Sequence, residues 1–260
     1  MGNRTKYTPG TFSWADVATT DQEAAKSFYS ELFGWQTEDT PVGEGLVYSM
    51  ATVDGKPVAA ISPQPQQQRD AGIPPMWNCY ITVESADEAL ERAQKLGATV
   101  HAPAFDVFDA GRMGVIQDPQ GAFFEVWEPK QHIGAQLVNG PGLLSWNELA
   151  SPDPDGSGSF YSELFGWTIE PMEGMPMQYL IVKNRDGHTN GGIRAAAEQE
   201  PPYWLAYFGI DDLEAGISKV AQHGGNTLME PMDIGGGNRI AVAQDPQGAV
   251  FALYAGHFEE

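Results

Sequence analysis

Apolar residues along this chain follow helical and alternating spacings, and the same arrangement appears twice. The octet at 28–35, FYSELFGW, returns at 160–167, which is 132 positions later (160 − 28). In the first copy Phe28 and Leu32 lie on one helix face, and Gly34 stands where a left-handed C-terminal cap is common. A repeat of this length predicts two copies of one domain. The octet itself predicts a helix end that packs on a core and is followed by a strand.

Alternating positions predict strands around these helices. In the first copy the predicted strands are 11–18, 35–37, 47–53, 58–61, 77–83, 99–101, 113–117 and 123–127, with helices at 22–33 and 86–96. Each copy therefore contains two β-α-β-β-β units. In the second copy Pro154, Gly156 and Gly158 stand where its first helix should begin, which predicts the loss of one turn and a helix at about 159–165.

These patterns divide the chain into a first domain at 1–130, a linker at 131–142 and a second domain at 143–260. The linker has little periodicity and ends in Gly140-Pro141-Gly142, a sequence typical of loops. Both domains also contain the segment QDPQGA, at 117–122 and at 244–249, which predicts a turn before the last strand.

Composition narrows the function classes. The chain carries 14 basic and 35 acidic residues, a net charge of −21. Such a surface disfavours nucleic acid and anionic membranes, which attract basic proteins. The absence of a long apolar run and the single cysteine, Cys79, predict a cytoplasmic protein without disulfides.

Several motifs fit one known family. Asp21 and Asp153 each precede a Phe-Tyr pair by seven residues, each octet ends in Leu-Phe-Gly-Trp, and Asp-Pro-x-Gly precedes each last strand. The sequence thereby resembles the vicinal oxygen chelate superfamily of glyoxalase I, bleomycin-resistance proteins and extradiol dioxygenases. It looks most like a tandem actinobacterial subgroup labelled glyoxalase-like or hydroxylase. The resemblance implies an α+β fold in which each domain's two units form an open eight-stranded barrel with helices outside.

The resemblance also implies a divalent metal held in the barrel by His, His and Glu. The matching positions are Trp14, Asn78 and Glu125 in the first domain and Trp146, Leu205 and Ala252 in the second. Indole does not bind such an ion, and one carboxylate with one amide is too few ligands. We therefore expect no cofactor, although an unconventional site built from Asp16, Glu148 or a histidine stays open. None of the five histidines has a metal-binding spacing, and all five are expected to be solvated.

The remaining candidates lie on the same strand faces as these positions. Trp14 and Trp146 are expected to point into the hollow, either as a wall that stacks on a flat ligand or as a plug. Glu125 lies between aromatic residues and should have a raised pKa, so it is the catalytic candidate as general acid or base. The alternatives for Glu125 are a relic of a metal ligand or a partner of Asn78. The candidate ligand-binding residues are Trp14, Asp16, Asn78, Tyr80, Phe123, Trp127, Trp146, Glu148, Tyr207 and Tyr254.

Three functions follow as hypotheses. The first is a binding module for a small, aromatic molecule without a complete metal triad. The second is a lyase, isomerase or oxygenase-type enzyme that acts on a small carbonyl or aromatic substrate through Glu125. The third is a structural protein whose hollows are filled by tryptophan. The protein is expected to be a monomer or a homodimer.

Overall fold

The computed structural model describes residues 2–43, 45–174 and 177–258. The outer limits assigned to the two domains, residues 1 and 260, lie outside the described residues. The first half holds β1 Gly2–Asn3, β2 Phe12–Thr19, α1 Gln22–Phe33, β3 Gln36–Gly43, β4 Leu46–Val53, β5 Lys56–Pro63, α2 Gln66–Asp70, β6 Met76–Thr82, α3 Ala86–Lys95, β7 Thr99–Val107, β8 Gly111–Gln117 and β9 Phe123–Pro129. Strands β2 to β9 form one eight-stranded sheet in the order β3-β4-β5-β2-β6-β9-β8-β7.

The second half repeats this plan. It holds β10 Leu137–Val138, β11 Leu144–Ser151, α4 Pro154–Phe165, β12 Thr168–Pro171, β13 Tyr179–Lys183, β14 Thr189–Ala195, β15 Tyr203–Gly209, α5 Leu213–Gln222, β16 Asn226–Gly235, β17 Asn238–Gln244 and β18 Val250–Ala255. Strands β11 to β18 form the second sheet in the order β12-β13-β14-β11-β15-β18-β17-β16. Two curled eight-stranded sheets, each built from two β-α-β-β-β units, confirm the predicted tandem α+β fold.

Alternation along each strand separates two faces of the sheet. In β2, Ala15 and Val17 belong to the main apolar core together with Phe28 and Leu32 of α1. Trp14 belongs instead to a separate cluster on the concave face. Successive side chains of a strand point to opposite faces, so the helices cover the convex face and the concave face is left for a hollow.

The start of the second copy's first helix differs from the prediction. Helix α4 begins at Pro154 and has 12 residues, as α1 does, so no turn is lost. The Asp153 side chain accepts a hydrogen bond from the Gly156 amide at 3.0 Å and caps the helix, and proline is tolerated at the first helical position. A Cβ at Gly158 would lie in ordinary contact with Ile169, at 3.4 Å. Helix propensity alone was therefore misleading at this site.

Replacing Asp153 with alanine should lower the free energy of unfolding by about 1 kcal/mol, because it removes this cap. Asp21→Ala should cost a similar amount, since Asp21 caps α1 in the same way. Urea unfolding measures both values. The control is Glu163→Ala, on the exposed face of α4. A cost of Asp153→Ala no larger than that of the control would contradict the capping role.

The repeated octets hold the two halves together. The Tyr29 hydroxyl donates to Asp245 Oδ2 at 2.9 Å and accepts from the Trp77 indole N–H at 3.0 Å. The second octet makes the equivalent contact with the first half: the Tyr161 hydroxyl donates to Asp118 Oδ2 at 3.0 Å. The octet is a helix end followed by a strand, as predicted, and the core on which it packs is shared by both halves.

Candidate functional site

The concave face of the first sheet carries most of the residues that the sequence placed in a hollow. Trp14 and Asp16 project from β2, Tyr80 from β6 and Glu125 from β9, and all four are buried. Trp14 is 3% exposed, so its indole fills space on this face rather than standing in solvent. We define the N-terminal hollow by Trp14, Asp16, Tyr48, Asn78, Tyr80, Glu125 and Trp127.

Asp16 is the centre of the hydrogen bonds in the N-terminal hollow. Its Oδ1 accepts from the Asn78 amide at 2.7 Å, and its Oδ2 accepts from the hydroxyls of Tyr80 at 2.9 Å and Tyr48 at 3.0 Å. The Trp14 indole N–H donates in turn to the Tyr48 hydroxyl at 2.9 Å. Burial raises the pKa of Asp16, and these donors offset part of the rise by stabilising the carboxylate. Asp16 therefore orients its tyrosine neighbours.

Glu125 lies next to this network without joining it. Its Cα pairs with Tyr80 across β6 and β9, and its side chain is 6% exposed. Its Oε2 is buried and has no hydrogen-bond partner among the described residues. Burial first, and then the charge of Asp16, raise the pKa of Glu125 well above its ordinary value, while the backbone of Cys79 opposes the rise. The protonated form is thereby favoured. Asn78 bonds Asp16, so the structure does not make it the partner of Glu125.

The segment between the halves crosses the N-terminal hollow. We call residues 131–138 the strap. Its Ala135 amide donates to Ser13 O at 2.7 Å, and its Gln136 amide donates to Pro57 O at 2.7 Å. The Tyr7 hydroxyl donates to Ala135 O at 2.6 Å, and β10 in the strap pairs with β1. The predicted linker is thus a cover over the first sheet as well as a connection.

His132 of the strap enters the hollow. Its ring lies edge-on to Trp14, with 4.5 Å between ring centroids, and 5.8 Å from Trp127. Its Nε2 is buried and has no partner among the described residues, and burial lowers the pKa of the imidazole to about 4. The ring is therefore neutral at physiological pH. The expectation that every histidine is solvated was wrong for His132, because its contacts come from residues distant in sequence.

The second sheet repeats the arrangement with different chemistry. The Glu148 carboxylate accepts from Tyr207 and Tyr179, and the Trp146 indole N–H donates to the Tyr179 hydroxyl at 3.2 Å. Arg194 Nε also donates to Glu148, at 3.0 Å. We define the C-terminal hollow by Trp146, Glu148, Tyr179, Arg194, Leu205, Tyr207 and Ala252.

The two hollows differ in whether every buried carboxyl oxygen has a hydrogen-bond partner. In the C-terminal hollow both oxygens of Glu148 have donors, and Arg194 is also held by Glu200 through two hydrogen bonds of 2.5 and 2.8 Å. Ala252 occupies the position that Glu125 occupies in the first sheet. The unpaired carboxyl oxygen is therefore a feature of the N-terminal hollow only, within the part of the chain that the structure describes.

Two candidates lie apart from these networks. Phe123 is 40% exposed at the start of β9, and its ring packs on His101 at 4.8 Å. Tyr254 packs on the aromatic cluster of the second sheet, but its hydroxyl bonds Asn238 and His257 near the end of β18. Strand alternation assigned these residues to the correct side, and it could not show how far along the strand the hollow extends.

Four residues at the hollows were not predicted: Tyr48, Tyr179, Arg194 and His132. Tyr48 and Tyr179 lie on matching strands, β4 and β13, and are 131 positions apart (179 − 48), one fewer than the octets, which hid the correspondence. Arg194 stands where Ser62 does in the first copy, so the repeat offered no guide. Sequence spacing also placed Asn78 beside Glu125, whereas the strand register places Tyr80 between Trp14 and Glu125.

The fit of a divalent metal can be tested on these donors. Asp16 already accepts three hydrogen bonds, and the neighbours of Glu125 across the sheet are Tyr80 and Val115, neither of which is a metal ligand of the expected type. Among residues 2–43, 45–174 and 177–258, no three His, Cys, Asp or Glu side chains are grouped so that they could hold a metal ion. The donor set does not fit the three-ligand site that the fold implies.

Open space lies elsewhere on the described surface. One depression of about 450 Å³ is lined by residues around Asp212, Arg239 and His257, and another of about 360 Å³ lies between α1 and α5. Neither is lined by a residue of either hollow. In the N-terminal hollow itself, Trp14, Tyr80 and Trp127 are only 3%, 7% and 6% exposed.

Comparison with known proteins assigns the family. The model of the Glyoxalase/Bleomycin resistance protein/Dioxygenase superfamily matches residues 11–126 and again 143–253. The chain therefore belongs to this superfamily, as its motifs predicted. In the described residues no helix is both long and apolar enough to span a membrane.

Particular relatives cover nearly the whole chain. CFP32 of Mycobacterium bovis, named provisionally as a glyoxylase, is 44% identical over 97% of each chain. The anthracycline biosynthesis protein DauV of Streptomyces sp. strain C5 is 30% identical and covers 96% of this chain and 94% of its own.

Solved structures share the fold at low identity. The Mn(II)-bound glyoxalase of Novosphingobium aromaticivorans superposes with a TM-score of 0.67 at 16% identity, over 95% of this chain and 82% of that one. The 2,3-dioxygenase LapB of Pseudomonas sp. KL28 gives a TM-score of 0.64 at 15% identity, over 96% and 93%. These likenesses concern the fold alone.

Proposed function

We propose that the protein binds a small, planar aromatic molecule in the N-terminal hollow, and that Glu125 donates a hydrogen bond to it. The observation that carries this proposal is the buried Oε2 of Glu125, which has no partner among the described residues. An unsatisfied buried polar atom costs about 1–3 kcal/mol. A ligand that pairs with this atom recovers that free energy on binding.

The walls of the hollow favour a flat ring system. Trp14 lies in the same cross-strand row as Tyr80 and Glu125, and Trp127 lies two residues beyond Glu125 on β9. Aromatic faces of this kind stack on planar ligands. The name of DauV places that relative in anthracycline biosynthesis. Anthracyclines are polycyclic quinones with carbonyl and hydroxyl groups, and a quinone carbonyl accepts the hydrogen bond that a protonated carboxyl donates.

A second function, as an enzyme, is favoured by the pKa of Glu125. A carboxyl whose pKa is raised by burial and by the neighbouring Asp16 can act as the donor or acceptor of a proton in a reaction with a bound substrate. In that case Glu125 is the general acid or base, and it acts without the family's metal triad.

Titration with 1,4-dihydroxyanthraquinone, followed by tryptophan fluorescence, tests the binding proposal. We expect quenching with saturation in the micromolar range for the wild type. Glu125→Leu should weaken binding about 10- to 100-fold, the equivalent of one hydrogen bond to a buried group. The same variant should unfold at equal or higher urea concentration, because it removes a buried carboxyl whose Oε2 has no partner among the described residues. A loss of affinity can then not be attributed to unfolding.

The matched control is Glu84→Gln, at an exposed glutamate. It should bind the probe as the wild type does. Absence of quenching at high micromolar probe, or equal affinity of Glu125→Leu and wild type, would refute the proposal. Affinity should also decrease as the pH rises through the pKa of Glu125, since the ionised carboxylate cannot donate.

A further inference from the structure

We propose that the strap is the gate of the N-terminal hollow, and that the His132 ring occupies the place of the ligand until the strap lifts. This inference rests on the proposed binding function for the identity of the ligand. It adds a step that controls entry, carried by a segment that lies between the two repeated domains and outside both family matches.

The position of His132 supports a stand-in role, in which its ring occupies the place of the ligand. Its imidazole contacts Trp14 at 4.5 Å and Trp127 at 5.8 Å, the same two rings that would hold an aromatic ligand. An aromatic molecule and the imidazole cannot both occupy this space. A ligand must therefore displace the His132 ring from the tryptophans.

The unpartnered Nε2 of His132 favours release of the ring from the hollow. The backbone of His132 is well held, since its amide donates to Ala110 O at 3.0 Å and its carbonyl accepts from the Trp127 indole at 2.8 Å. Its side-chain Nε2 is buried without a partner among the described residues. A buried ring nitrogen that lacks a hydrogen bond gains one when it reaches water, so the closed position of the ring is weakly held.

The contact between the strap and β2 can be loosened at a single residue, Gly134. Gly134 runs against β2, with a φ of +105°, and a Cβ at this position would lie 2.3 Å from Ser13 O. Only glycine allows this approach. Gly134→Ala should therefore lift the strap from β2 without touching the ligand-facing groups.

Amide hydrogen exchange tests the gate without any ligand. In the wild type the amides of Ala135 and Gln136 should exchange at least 10-fold faster than that of Val83, which is bonded inside the first sheet to Trp127 O. Gly134→Ala should raise the exchange of the two strap amides about 10-fold further and leave Val83 unchanged. Strap amides that exchange as slowly as Val83 in both proteins would overturn the proposal.

The control for Gly134→Ala is Gly187→Ala. Gly187 also has a positive φ, of +80°, but it has open space around its Cα and lies in the second half. It experiences the same backbone strain without a steric clash at the strap. In the Gly187→Ala variant the amides of Ala135 and Gln136 should exchange as in the wild type. An increase equal to that of Gly134→Ala would overturn the proposal.

Two substitutions of His132 give opposite expectations with 1,4-dihydroxyanthraquinone. His132→Ala removes the competing ring and should tighten binding about 3- to 10-fold. His132→Phe keeps a ring and removes the unpaired nitrogen, so it should close the hollow more firmly and weaken binding by a similar factor. His257→Ala, at an exposed histidine, is the control and should bind as the wild type does.

These outcomes separate the gate from the binding function. Rapid strap exchange with no probe binding in any protein supports the gate and refutes the proposed ligand. Binding that is unchanged in both His132 variants, or weakened equally in both, refutes the stand-in role even if the probe binds.

Discussion

Asp118→Ala is expected to lower the free energy of unfolding by about 4 kcal/mol, the largest effect of a single substitution outside the apolar core. Asp118 Oδ1 accepts hydrogen bonds from the amides of Gln120, Gly121 and Ala122 at 2.7–3.0 Å, and its Oδ2 accepts from Tyr161 of the other half. Alanine leaves four donors without this acceptor, and each buried loss costs about 1–3 kcal/mol. Chemical denaturation followed by circular dichroism measures the change.

The repeat supplies a matched experiment for Asp118. Asp245 makes the same contacts with the amides of 247–249 and with Tyr29, so Asp245→Ala should cost the same within about 1 kcal/mol. Asp109→Ala, at an exposed turn, should cost less than about 0.5 kcal/mol. A cost of Asp118→Ala below about 1 kcal/mol would contradict the assigned contacts.

Arg194→Met is expected to lower the free energy of unfolding by about 3 kcal/mol at neutral pH, because it leaves Glu148 and Glu200 without their cation. Arg194 lies 3.0 Å from Glu148 and 2.5 Å from Glu200, and its side chain is 18% exposed. Lys183→Met is the control, since it breaks the more exposed ion pair with Glu170 and should cost less than about 1 kcal/mol.

The pH dependence provides a second readout for Arg194. Hydrogen bonds from Arg194 lower the pKa of Glu200 from 4.5 to about 2. A carboxyl with a lowered pKa stabilises the folded state above its unfolded pKa, and this contribution is lost as the pH falls through the folded value. The difference between wild type and Arg194→Met should therefore shrink from pH 4.5 to pH 2. A difference that stays constant over this range would contradict the role of the pair.

Much of the fold could be predicted because its determinants are local. The octet, its glycine cap and the alternating strands each depend on neighbours within a few residues, and they placed Trp14 and Asp16 on the concave face. The first turn of α4 was misjudged since Pro154 and Gly156 reduce helix propensity in isolation. The side-chain cap of Asp153 outweighs that effect.

The site was predicted in part for the same reason. Alternation found Glu125 and its raised pKa, because both depend on strand direction and burial. It could not find the hydrogen bond from Tyr48 to Asp16, which joins residues 32 positions apart, or the entry of His132, which comes from a segment without periodicity. Contacts of this kind depend on strand order and on the path of the chain across the sheet.

Each half supplies a tyrosine that bonds a turn in the other half, and this reciprocal contact bears on the origin of the chain and on its unfolding. Tyr29 completes the turn at Asp245, and Tyr161 completes the turn at Asp118, so the contact is self-complementary about an approximate two-fold axis. A single-copy ancestor could make the same contact by pairing with itself, and gene duplication would then have joined the two subunits. Neither copy buries its octet alone, so the fused chain should melt in one cooperative transition.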